Sequence, residues 1–161
     1  MTNRDLYAIL AELEIYYEEI SHPAVFTCAE AHALVRKLNG AESKNLLLTD
    51  RHGEQFFLVI LSAEKRANIK AISQLTGVPH LRFASAQQLK ETLNLIPGSV
   101  TPMGIIHDLD NRVALLIDRD LENQPLQCHP NTNTRTLVLA YQDLLRFLEH
   151  ENHRWMLFDA D

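Results

Sequence analysis

Two apolar runs that show no alternation constrain this chain more than any other feature. Phe56-Phe57-Leu58-Val59-Ile60-Leu61 and Val113-Ala114-Leu115-Leu116-Ile117 have the length of strands and are rich in aromatic and β-branched residues. Successive strand residues point to opposite faces of a sheet, so a strand that is apolar at every position must be covered on both. The first run is therefore predicted to be a central strand, with packed layers above and below it. A chain of 161 residues is long enough to build such a core within one domain, spanning 1–161.

The rest of the chain supplies the layers. Leu6, Ile9, Leu10 and Leu13 fall on one helical face between Asp5 and Leu13, and Ile15, Tyr17 and Ile20 suggest a strand that ends at Ser21-His22-Pro23. Thr27-Cys28-Ala29-Glu30 has the form of a capping box, and Ala31, Leu34, Val35 and Leu38 continue it as a helix to Asn39-Gly40. Leu46-Leu47-Leu48 and the Phe56 run, separated by Asp50-Arg51-His52-Gly53, read as a hairpin. Ser62 to Gln74 is predicted helical, closing at Gly77, and Ser85 caps a helix that runs to Leu93. Pro97 to Gly104 holds two prolines and two glycines and is predicted to be a shaped loop. Gln127 to Pro130 and Thr136 to Leu139 read as strands around a polar turn, Asn131 to Thr134. Tyr141, Leu144, Leu145 and Leu148 mark a last amphipathic helix, and Trp155 to Phe158 a strand or packed tail. Helices and strands alternate irregularly, with hairpins among them. The fold class is thus α+β, a mixed and largely antiparallel sheet flanked by helices.

Composition narrows the function classes. No apolar run approaches the roughly 20 residues that span a bilayer, and Met1 to Asp5 lack the layout of a signal peptide, so no membrane is implied and the cytoplasm is the expected compartment. Cys28 and Cys128 form no CxxC pair and read as reduced thiols. GxGxxG and P-loop motifs are absent, which argues against a dinucleotide or nucleotide triphosphate cofactor. A net charge of −6 argues against a protein that grips long stretches of DNA or RNA backbone. It leaves room for a single-stranded end held by a local basic patch. Arg36, Lys37, Lys65, Arg66 and Lys70 are candidates, with Lys65, Arg66 and Lys70 placed on one helix; a plain solvated surface is the competing reading.

Three segments carry residues suited to chemistry. Lys44 opens the first hairpin strand and shares a face with Leu46 and Leu48. Its ammonium could hold a carbonyl or phosphate oxygen, or it could simply reach solvent from the strand end. The Gly98-Ser99-Val100-Thr101-Pro102 loop has a glycine that lets backbone approach a ligand and a proline that fixes a turn. Such a loop can aim amides at a developing oxyanion, and it can equally be a connector. His129 precedes Pro130 near a strand edge, where a histidine can serve in acid–base chemistry or donate a hydrogen bond. His22, Cys28 and His32 straddle a turn and a helix start, which is a poor arrangement for zinc. Cys128 and His129 are adjacent on a strand and point apart, so they do not make a thiol–imidazole couple. Asp108, Asp110, Asp118 and Asp120 read as solvated carboxylates at turns and strand ends.

Taken in order along nearly the whole chain, these segments resemble the YbaK and proline-tRNA-editing family, the aminoacyl-tRNA synthetase-associated domain. The match rests on the early strand with His22-Pro23, the Thr27-x-x-Glu30 helix, Ser43-Lys44-Asn45 before a strand, the Gly98–Pro102 loop and Cys128-His129-Pro130-Asn131. It is most similar to the free-standing branch that deacylates alanyl-tRNA(Pro). The resemblance implies ester hydrolysis without metal, cofactor or covalent intermediate, and a pocket for the aminoacylated 3′ end of tRNA(Pro). It also implies prolyl-tRNA synthetase as a companion. Lys44, Gly98 and His129 take the catalytic positions by this resemblance, and Asn45, Ser99, Val100, Thr101, Pro102 and Asn131 line the substrate pocket. Two alternatives stay open at this point: a deacylase for cysteine or serine on tRNA, and a non-catalytic module that binds tRNA or a synthetase.

Overall fold

The computed structural model describes residues 5–21, 40–132 and 134–160. The His22-Pro23 strand end, the Thr27–Leu38 helix, Cys28, His32, Arg36 and Lys37 lie outside the described residues. Within them the chain forms helix α1 (Leu6–Glu12), strands β1 (Tyr17–Ser21), β2 (Ser43–Thr49) and β3 (Phe56–Ser62), helix α2 (Ile69–Thr76), the short strand β4 (Arg82–Phe83) and helix α3 (Ala86–Leu93). A 3-10 helix (Pro102–His107), β5 (Val113–Asp118), β6 (Leu126–Cys128), β7 (Arg135–Leu139), helix α4 (Tyr141–His150) and β8 (Trp155–Phe158) follow.

The strands build two sheets. The larger has the order β4-β2-β3-β5-β8, with β2 antiparallel to β3 and β3, β5 and β8 parallel to one another. The smaller, β1-β7-β6, is antiparallel throughout. The α+β class with a mixed sheet holds. β3 occupies the centre of the larger sheet and is buried on both faces, as its unbroken apolar run requires.

Alternation along these strands sorts the core into two layers. Leu47, Leu58, Ile60, Leu115 and Ile117 face the larger core, shared with α1, α3, α4 and the inward residues Leu126, Cys128, Leu137 and Leu139 of the smaller sheet. Leu48, Val59, Leu61 and Leu116 face the other side, where Ile72 of α2 packs with Val78 and Leu81. The helix ends follow their caps. Ser85 and Gln88 close a reciprocal capping box on α3, and Gly77 stops α2 in the left-handed region at φ 73.

Two expected boundaries move. The helix predicted from Ser62 begins only at Ile69, because β3 runs to Ser62 and Asn68 supplies the cap. Lys65 consequently precedes the helix that carries Lys70. The loop predicted from Pro97 to Gly104 ends at Thr101, whose side chain caps the 3-10 helix with Pro102 in its first turn. A Cβ at Gly104 would lie 2.7 Å from Leu95 Cδ1, so the Leu95 side chain would have to shift to admit one.

Candidate functional site

The Pro97-Gly98 pair makes the turn its sequence suggests. Gly98 takes φ 90, which suits the third position of a turn led by proline, and the Ser99 amide donates to the Ile96 carbonyl at 3.1 Å. The chain then dives inward. Gly98 is exposed, whereas Ser99, Thr101 and Pro102 are buried and Val100 is half-buried.

Two hydrogen bonds fasten this loop to its surroundings. Asn45 Nδ2 donates to the Val100 carbonyl at 3.2 Å, and Thr101 Oγ1 donates to the His129 carbonyl at 2.6 Å. The start of β2, the loop and the β6–β7 turn therefore meet at one place, where the two sheets adjoin. Residues 41 and 126 form a β-bridge beside it. The structure thus brings together Asn45, Val100, Thr101 and His129, with Ser99, Pro102 and Asn131 next to them in the chain.

Lys44 stands differently. It is half-buried and pairs with Leu61 in the register, so it starts out on the α2 face of the sheet, while Asn45 pairs with Ile60 and faces the loop. The two adjacent residues leave the strand in opposite directions. Ser43–Ser62 and Lys44–Leu61 are the final register pairs, so the lysine stem sits at the very end of the sheet.

His129 is half-buried, and its Nδ1 lies 3.0 Å from the Arg135 carbonyl. A carbonyl only accepts, so Nδ1 carries the hydrogen and the lone pair of the neutral ring resides on Nε2. Asn131 takes φ 64, which turns the chain between β6 and β7. The Oδ1 atoms of Asn45 and Asn131 are buried without a hydrogen-bond donor among the described residues. Each is an acceptor that a bound ligand or water would satisfy.

Cys128 faces the core, and burial pushes its thiol up to about 12, so it is no nucleophile at neutral pH. No cluster of three metal-ligating side chains occurs among the described residues.

Two of the four aspartates expected at the solvent are in fact buried. Asp118 accepts from the Ser62 amide at 3.0 Å, Lys65 Nζ at 2.9 Å and the Asp120 amide at 3.0 Å. Burial alone would raise its carboxyl; the Ser62 and Lys65 bonds outweigh that and hold it below the usual range. Lys65 also contacts Asp120 at 2.7 Å, so this lysine is committed to structure and is withdrawn from the proposed basic patch. Asp108 accepts from the Val113 amide and from His153 Nε2, both at 2.9 Å. Sequence reasoning missed that pair because its members stand 45 residues apart and no local pattern joins them.

Two sheets meeting at a pinned Gly-x-x-x-Pro loop, beside the buried acceptors of Asn45 and Asn131, define an α+β domain with its candidate site at that junction. The chain matches the model of the aminoacyl-tRNA editing domain over residues 22–147. It is 34% identical to the prolyl-tRNA synthetase associated domain-containing protein 1 of Danio rerio, covering 98% of this chain and 87% of that one. It is 33% identical to the prolyl-tRNA editing protein ProX of Acetoanaerobium sticklandii, covering 88% and 87%. Among solved structures, a "putative trans-editing enzyme for prolyl tRNA synthetase" superposes with a TM-score of 0.71 at 21% identity, over 99% of this chain and 98% of that one. This chain belongs to the aminoacyl-tRNA editing domain family, in its YbaK and ProX-like form.

Proposed function

We propose that this chain is a trans-acting deacylase that hydrolyses alanine from mischarged tRNA(Pro). The observation that carries the reading is the double fastening of the Gly98–Pro102 loop, by Asn45 at Val100 and by Thr101 at the His129 carbonyl, in a chain of the editing family. Its relatives include a protein named for prolyl-tRNA editing and proteins named for association with prolyl-tRNA synthetase.

The chemistry asks little of a nucleophile. An aminoacyl ester is already activated, so catalysis consists of positioning and of stabilising charge on the carbonyl oxygen. In this reading water adds to the ester carbonyl, the bond to the ribose oxygen breaks, and that oxygen leaves with a proton as alanine and tRNA separate. Amides of the Gly98–Pro102 loop and the Lys44 ammonium orient the carbonyl and the terminal adenosine, and the neighbouring ribose hydroxyl of the substrate assists the water. Ser99, Val100, Thr101, Pro102, Asn45 and Asn131 line the pocket, and His129 sets its size.

A synthetase built for proline discriminates poorly against alanine, since each missing methylene is worth only about 1–3 kcal/mol. A second site that admits alanine and excludes the larger ring completes the selection. The test is amino acid release from alanyl-tRNA(Pro), with prolyl-tRNA(Pro) and alanyl-tRNA(Ala) alongside. Release from the first alone is expected. No release from alanyl-tRNA(Pro) would remove the assignment.

A further inference from the structure

Asp108 follows directly on the 3-10 helix Pro102–His107, at the end away from the substrate loop. Six residues at a rise of about 2 Å put it roughly 12 Å from Thr101. Its Oδ2 accepts from Val113 at the start of β5 and from His153 in the α4–β8 connection, each at 2.9 Å. Both side chains are almost wholly buried, at 2% and 1% exposure. The helix between carries Met103, Ile105 and Ile106, all within the core, so it behaves as a short rod fixed at both ends.

Hydrogen bonds hold both members of this pair in place. His153 Nδ1 lies 2.8 Å from the Glu151 carbonyl, which can only accept, so Nδ1 carries a hydrogen. Burial raises the Asp108 carboxyl, but bonds from His153, Val113 and Arg112 outweigh it and keep the group ionised. His153 thus spans the Glu151 carbonyl and the Asp108 carboxylate with its two ring nitrogens.

We infer that Asp108 and His153 form a buried hydrogen-bonded clamp that positions the Gly98–Pro102 loop from behind, acting on turnover through the loop without touching substrate. A buried polar pair is a weak device for stability, because apolar residues of similar size often serve as well. It is a directional one, since each bond is satisfied in a single arrangement. Here it locks the far end of the rod whose near end Thr101 ties to His129.

The turnover readout rests on the deacylase reading; the loop readout does not. Asp108→Ala removes the clamp. Asp108→Asn keeps the geometry without the charge, its amide oxygen standing in the place of Oδ2 and accepting from both Val113 and His153 Nε2. Hydrogen exchange at the amides of Val100 to Gly104 is followed against the amides of β3, together with kcat and KM on alanyl-tRNA(Pro). In Asp108→Ala, loop exchange is expected to speed up about tenfold or more while β3 stays at the parent's rate. In the same variant kcat is expected to fall about 10- to 100-fold with little change in KM. Asp108→Asn is expected to restore both. Should Asp108→Ala not fold, His153→Gln, which leaves the Val113 bond in place, is read the same way. Loop exchange at the parent's rate, or acceleration shared equally by β3, overturns the clamp. A parent inactive on every tRNA tested sinks the deacylase reading, and the exchange comparison still decides the clamp.

Discussion

The hydroxyl of Thr101 donates to the main-chain carbonyl of His129 at 2.6 Å, joining two segments 28 residues apart. The same oxygen caps the 3-10 helix by accepting from the Met103 amide at 3.3 Å. One side chain thus sets both where the loop ends and where the β6–β7 turn sits. Thr101→Val keeps the shape and removes both bonds, including the one to the carbonyl of half-buried His129. The expected cost is about 1–3 kcal/mol, a fall of several degrees in Tm, measured by thermal unfolding. Turnover of alanyl-tRNA(Pro) is expected to fall at least about tenfold, because the loop and the β6–β7 turn lose their common reference.

Lys44 supplies the one cation that the proposed mechanism needs. Lys44→Ala is expected to reduce deacylation by about 100-fold or more, the scale for removing one charge-stabilising donor. The half-buried lysine lies at a strand end, so the far-ultraviolet circular dichroism and Tm of the variant should match the parent. Retained turnover would take the lysine out of the chemistry.

The outline of the fold was legible in the sequence where local physics decides it. The unbroken run Phe56–Leu61 placed β3 at the centre, Ser85 marked a helix cap, and Tyr141 to Leu148 showed a helix by its spacing. What stayed hidden depends on partners distant in the chain. Asp118 and Asp108 look like turn carboxylates until Lys65 and His153, 53 and 45 residues away, are seen to reach them. The helix expected from Ser62 starts late for a similar reason: β5 offers β3 a partner up to Ile60, and Asp118 takes the Ser62 amide, so strand geometry outlasts the helical pattern. For the candidate site, the segments were legible and their meeting was not. No spacing rule shows that Asn45 reaches Val100, or which face of β2 the loop covers.

The buried aspartates set the acid limit of the fold. Asp108 and Asp118 both lie below the ordinary value of 3.8, so each contributes stability that is complete above that value and is lost as pH falls through the lower folded one. Urea unfolding is expected to give a nearly constant free energy from pH 7 to about 5 as far as these carboxylates are concerned, then a decline below about pH 4. Asp118→Asn should flatten that decline. An unchanged acid limb in the variant would mean that Asp118 is not among the groups responsible.

Cys128 gives a contrasting, chemical readout. Its thiol is buried and pushed up to about 12, so iodoacetamide at pH 8 is expected to leave it unlabelled in the folded protein and to label it once urea unfolds the chain. Peptide mapping by mass spectrometry checks this at the single residue. Cys128→Ala should keep turnover of alanyl-tRNA(Pro) close to the parent's, as hydrolysis without a covalent intermediate requires.

Lys65 separates a structural cation from one that binds RNA. Its ammonium lies 2.9 Å from Asp118 and 2.7 Å from Asp120, with the Asp118 side chain only 1% exposed. Lys65→Met keeps the stem and removes the charge, so the Asp118 carboxylate retains two amide donors and loses its counter-ion. The expected loss of stability is about 1–3 kcal/mol, because hydrogen bonds to charged groups cost that much to break in a buried setting. A lysine on a phosphate behaves otherwise. Its loss would lower tRNA affinity and reduce by about one unit the slope of log affinity against log salt, with stability unmoved. Chemical denaturation and a salt titration of tRNA binding on the same variant distinguish the two. A lower denaturation midpoint with an unchanged salt slope is expected, and the reverse pattern would return Lys65 to the nucleic-acid surface.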